Sequence, residues 1–217
     1  DILENVPNTI GVSIHATDAM DIADGNTVMA TYISGHPSGM IDRFLFEGST
    51  AVEHSRGEWA DLVDQRLTHI VPVSVQSTNS YDKTSRKVTI DVTASFVGGD
   101  IGDYRPNCYL VEDSVSGGSS YDQENYYSKD GGAVGGSSHP YYNFPAKISG
   151  WQHMHVLRKM LGGPWGTDGV IPDKVADRDI YKKQYTATLT KTWKERNIKI
   201  VSIIQKYNAS DINNREI

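Results

Sequence analysis

Two histidines, His153 and His155, stand one residue apart in the stretch "GWQHMHVLRKMLGG" (150–163). On a β-strand, residues i and i+2 share a face, so both imidazoles could reach one metal ion. A zinc site needs a third ligand and hydrogen-bonded support behind its ligands. His139, Glu112 or Asp113 could complete the set, but no spacing demands any of them. The reading favoured here is a pair of half-buried histidines on a sheet surface, with no metal and no cofactor.

The remaining reactive groups are sparse. Cys108 is the only cysteine, which excludes an intrachain disulfide and every multi-cysteine metal motif. Its surroundings, "NCYLVEDSV", read as a buried strand thiol. Glu112 and Asp113 are adjacent and on a strand would point to opposite faces, so they do not form an acid/base pair. No Gly-x-Ser-x-Gly elbow or His-Glu-x-x-His helix occurs. The glycine runs "GGDIG" and "GGAVGG" lack the lysine and the strand–helix setting of a phosphate loop. No residue is assigned a catalytic role.

Aromatic residues offer a different chemistry. Residues 116–150 form a stretch without helical or strand period, holding Tyr121, Tyr126, Tyr127, Tyr141 and Tyr142. Long irregular segments are usually functional or disordered, and a flexible Gly/Ser linker has no use for five tyrosines. The segment is expected to be ordered and to present rings that bind a protein, peptide or glycan, with Trp165 from the next loop beside them.

Two kinds of element must position these groups. Over residues 1–68 a strand at 9–15, a helix at 21–33 despite Gly25, a strand at 38–46 and a helix at 56–67 alternate. From residue 69 the period falls to two, with strands at 70–78, 87–96, 104–115, 185–190 and 198–207. "SYDKTSRK" reads as a hairpin connection, and so does "KERN" (194–197), which would set the last two strands side by side. The stretch around His153 reads as a further strand. The fold class is therefore α+β: an α/β unit over 1–68 followed by an antiparallel β-sandwich over 69–217.

The totals fit a globular chain of 217 residues with 38% hydrophobic and 22% charged residues. A net charge of −6 without a basic stripe excludes a nucleic-acid partner. The longest apolar run, "IKIVSII", is too short to span a bilayer.

Pro37, after a helix and a short Gly turn and before a strand, resembles the cis-proline position of the thioredoxin fold. "GVSIH", "GHPSGMIDR", the Trp59 helix, "PVSV", the Glu112–Asp113 strand end, "HMHVLR" and "IVSII" together resemble the outer-membrane-protein-28 family of Bacteroidetes-type bacteria. That resemblance implies a thioredoxin-like unit followed by a β-sandwich, and an address at the outer membrane or cell surface, often through a lipid anchor. The thioredoxin-like unit would lack its first strand and helix here, so an anchor or a redox Cys-x-x-Cys would lie upstream of Asp1. "DSV" (113–115) is similar to the acceptor signal for O-linked glycans on exported proteins of such bacteria, which would mark Ser114. The leading expectation is a noncatalytic surface or periplasmic binding protein. A thiol-disulfide oxidoreductase with upstream cysteines and a structural subunit of an outer-membrane assembly stay open as alternatives, and the oligomeric state is undetermined.

Overall fold

The structure, a computed structural model, describes residues 2–217. Its centre is two three-stranded antiparallel sheets. One has the order β1 (Val73–Asp82), β2 (Lys87–Phe96), β9 (Ile180–Thr188). The other has the order β10 (Ile198–Tyr207), β4 (Asp103–Glu112), β7 (Val156–Met160). Alternation explains their contact: Val88, Ile90 and Val92 on β2 meet Cys108 and Leu110 on β4, with Tyr185 and Ala187 of β9 closing the cluster. Ala94, Phe96, Tyr104 and Ile204 continue it toward one end. Two short pairs flank the sheets: β3 (Asp100–Ile101) with β8 (Lys174–Val175), and β5 (Gln123–Glu124) with β6 (Lys147–Ile148). The expected β-rich half is thus present.

Residues before Val73 cover the outer face of the second sheet. They comprise α1 (Ile2–Asn5), α2 (Ala23–Tyr32) and α3 (Trp59–Leu67). Val28 and Tyr32 of α2 pack on Tyr109, Val111, Leu157, Met160 and Val201. Gly25 permits this approach, since a Cβ there would sit 2.9 Å from the Ile14 side chain. Gly39 plays the same part for α3: its Cβ would lie 2.7 Å from the Trp59 indole, whose Nε1 donates to His54 O at 3.0 Å.

Three expected elements differ. The strand at 9–15 is extended but pairs only through Ser13, in one parallel bridge to Val156. The strand at 38–46 is replaced by a bridge between Gly39 and His54 and a turn, because Asp42 and Arg43 both take left-handed backbone, with φ of 51° and 49°. "KERN" is not a hairpin: β9 pairs with β2 and β10 with β4, so the chain crosses between the sheets. Arg86 holds the departing end, donating to Leu189 O, Thr190 O and Trp193 O. Lys194 N then donates to Glu112 Oε1 at 2.7 Å on the other sheet.

The His36–Pro37 bond is cis. Glu53 closes the turn before it, accepting from Ser34 N and Ser34 Oγ, each at 2.8 Å. The Ser34 N–H, then the Ser38 hydroxyl, hold its carboxyl down at about 2, against 4.5 ordinarily.

Two outcomes follow. Glu112 is 2% exposed and pairs with Arg158 at 3.3 Å. Glu112→Ala leaves that guanidinium, beside the Trp193 ring, without its carboxylate and should cost about 3–5 kcal/mol in urea unfolding. Because the folded-state pKa of Glu53 is depressed, its contribution is full above pH 4.5 and lost as pH falls through about 2. The Ser34 and Gly35 amide resonances should therefore titrate with a midpoint near 2, and Glu53→Gln should abolish that titration.

Candidate functional site

The tyrosine-bearing segment is a closed loop with its own internal framework. β5 and β6 pair at its base, with Lys147 and Glu124 in an exposed ion pair at 2.8 Å. Asn125, 4% exposed, ties the loop together. Its Nδ2 donates to Tyr141 O and Pro145 O, each at 3.0 Å, and its Oδ1 accepts from Tyr127 N. Asn125 N in turn donates to Ala146 O at 2.8 Å. Fully buried Ser128 carries the next turn: its carbonyl accepts from Gly131 N and Ala133 N. Gly131 must be glycine, because a Cβ would fall 2.3 Å from Asn125 O. Such a loop, with paired ends and packing of its own, closes on itself as Ω-loops do, although it is longer than they are.

The rings form a row across this framework. Tyr127 stacks flat on His139 at 3.6 Å, with the Arg56 guanidinium 5.3 Å from the tyrosine ring. His139 neighbours Tyr141 at 5.8 Å. Tyr141 then meets Phe144 at 5.4 Å and Trp151 at 5.9 Å, both edge to face. Tyr141 is 37%, Phe144 48% and Tyr126 67% exposed. Tyr142 is half-buried, and its carbonyl accepts from Lys129 N. Tyr121 anchors the segment, packing on Met20, Val115 and Val156 while its carbonyl meets His153 Nε2 at 2.8 Å.

Trp165 lies apart from this row. It packs against Tyr32 and Tyr207, with Arg43 and Arg215 near its ring. Conversely, sequence reasoning placed His139 in the loop but missed its stack on Tyr127, and missed Asn125 and Ser128 as its framework and Trp151 as a ring beside it. An Asn and a Ser three residues apart around two tyrosines carry a turn signature that marks the framework pair. Arg56 has no such signal.

The histidine pair does not share a strand face. His155 has φ of 57°, which breaks the two-residue period, and β7 starts only at Val156. His153, 7% exposed, bridges Val115 and contacts the His15 ring edge-on. His155 turns instead to Asp113: its N donates to Oδ1 at 2.9 Å and its Nδ1 lies 3.2 Å away. Burial raises the Asp113 carboxyl, but Lys199 and the His155 N–H outweigh it and hold the group below its usual range. Among the described residues no three His, Cys, Asp or Glu side chains gather to hold a metal ion. Ser114 is half-buried, with its Oγ 3.7 Å from Met154 Sδ. Cys108 is fully buried and burial pushes its thiol up to about 11, far from a reactive thiolate.

The loop's framework and its exposed edge can be separated by substitution. Asn125→Ala should remove three side-chain hydrogen bonds and cost about 2–4 kcal/mol, at roughly 1 kcal/mol per bond plus a buried unpaired group. Tyr126→Ser should change stability by less than about 0.5 kcal/mol in the same unfolding experiment.

A family model described as outer membrane protein Omp28 matches residues 26–215. No curated protein and no solved structure matches the chain. No helix among the described residues is long and apolar enough to cross a membrane. With that match running from within α2 through α3, both sheets and the whole aromatic loop, the chain belongs to the outer membrane protein Omp28 family.

Proposed function

We propose that this outer-membrane protein is a noncatalytic binding protein whose recognition surface is the exposed edge of the aromatic loop. The observation that carries the reading is the Tyr141–Phe144 pair: two rings edge to face, both substantially exposed, on backbone already fixed by Asn125. Ordering a backbone residue costs on the order of 1–2 kcal/mol. Here the internal hydrogen bonds and the Tyr127–His139 stack have met that cost before any ligand arrives. Flat, rigid rings then supply contact area to a peptide or to the apolar face of a sugar. A lipid anchor upstream and a thioredoxin-like ancestry for residues 1–68 belong to the same proposal; the order of α2, the Pro37 turn and α3 supports the latter.

The test screens the protein against a glycan array and a displayed library of short peptides. At least one class should be retained, and Tyr141→Ser with Phe144→Ser should weaken retention roughly tenfold or more while the melting temperature stays within a few degrees. Tyr127→Ser should do the reverse, lowering the melting temperature through the lost stack while sparing part of the affinity. Retention that survives the double substitution, or no retained probe of either class, would remove the loop's binding role.

A further inference from the structure

Between the helical layer and the outer face of the β10–β4–β7 sheet lies a cavity of about 350 Å³. Its walls are mostly apolar, with Val12, Val28, Met40, Val63, Met160 and Ile203 among them, and its polar lining is Asn8, Thr9, Arg43 and the paired Asp42 and Arg66. That volume and lining are in the range of small-molecule sites, which are apolar with a few placed polar groups.

The placed group is Arg43. It lines the cavity, is 4% exposed, and pairs with no acid among the described residues. Asp42 is taken by Arg66 Nε at 3.0 Å, and Glu216 lies between Arg66 and Lys206. Arg43 Nη2 donates to Gln205 Oε1 at 2.7 Å, and the Trp165 ring lies 5.8 Å from the guanidinium carbon. Neither partner is an anion. Arg43 Nη1 and Gln205 Nε2 are both buried with no acceptor among the described residues. Buried cations are ordinarily paired, and an unmatched guanidinium donor on a residue lining an apolar cavity is costly to keep. The backbone bears a cost to aim this side chain inward too, since Asp42 and Arg43 are consecutive non-glycine residues in left-handed conformation.

We propose that this cavity binds the hydrocarbon chain of a single-chain anionic amphiphile, with its carboxylate or phosphate head at Arg43. The apolar walls take the chain, and the guanidinium supplies the charge-assisted hydrogen bonds that a carboxylate or phosphate accepts. The aromatic loop takes no part, so this inference stands or falls separately from the surface reading.

Calorimetry on the full product of the gene tests it, so that any residues preceding Asp1 compete for the cavity. The probes are dodecanoate, lauroyl lysophosphatidic acid and neutral dodecan-1-ol, each kept below its aggregation concentration. At least one anionic probe should bind at one site per chain, and which one binds separates a free fatty acid from a phospholipid source. Dodecan-1-ol should bind roughly tenfold or more weakly, the loss of a charge-assisted hydrogen bond. Arg43→Met should erase that preference for the anion, and Arg43→Lys should keep part of it. Val63→Trp, which fills the cavity from α3 without touching Arg43, should abolish binding with the circular dichroism unchanged. If Arg43→Met fails to fold, the comparison of dodecanoate with dodecan-1-ol and the Val63→Trp arm still decide. No binding of either anion to the folded protein, equal binding of the alcohol, or binding unaffected by Val63→Trp would overturn the assignment.

Discussion

The rest of the molecule depends on β4 being buried on both faces. One face carries Cys108 and Leu110 into the core between the sheets, and the other turns Tyr109 and Val111 toward α2. A strand in that position has no solvent side, which is why burial runs unbroken from Pro106 to Glu112 instead of alternating, with Cys108–Val111 as its apolar centre. Each polar residue admitted to it therefore has an internal partner. Glu112 accepts from Lys194 N and faces Arg158. Asn107, fully buried, donates to Gly163 O and accepts from Cys108 N and Gly162 N.

Pro106 in the middle of this central strand looks like a violation, since proline cannot donate to a ladder. The geometry removes the difficulty. Pro106 O accepts from Thr167 N, on the side where β7 has already ended at Met160 opposite Tyr109. Its nitrogen faces the same side, so no ladder bond to β10 is lost. Proline and Asn107 thus work together: one marks where pairing with β7 stops, and the other satisfies the Gly162–Gly163 turn that leads the chain away. At the opposite end of β4, Glu112 and Asp113 receive the crossing segment and the His155 turn, which fixes the starting point of the aromatic loop.

Long strands were legible because period two and β-branched residues act locally. The spans 87–96 and 198–207 match β2 and β10 residue for residue, and the "SYDKTSRK" hairpin joins β1 to β2 with Asp82 opposite Lys87. Sheet membership was not legible. Nothing local in "KERN" says that Arg86, a hundred residues earlier, will hold the chain to one sheet while Glu112 draws it to the other. The left-handed residues at Asp42, Arg43 and His155 were equally silent, since none is glycine. Within the loop, the tyrosines drew attention by composition, whereas the residue that orders them, Asn125, acts through carbonyls sixteen and twenty positions away.

The two regions outside the sheets treat buried polarity in opposite ways, and that contrast has a physical consequence. In the loop, Asn125 and Ser128 are buried with hydrogen-bond partners, and the rings they support have one set of neighbours. A satisfied network of this kind fixes a single arrangement. In the helical layer, Arg43, which lines the cavity, bonds Gln205 with donors left over, and Arg43 stands on strained backbone. An unsatisfied pair does not define one arrangement equally well, because nearby rotamers lose little by comparison. Local stability follows contact density and hydrogen-bond satisfaction, so the helical layer should open more readily than the loop although it covers more of the core. If the two proposals hold, rigidity belongs to the loop that displays the rings and adaptability to the covered face where an apolar guest would sit.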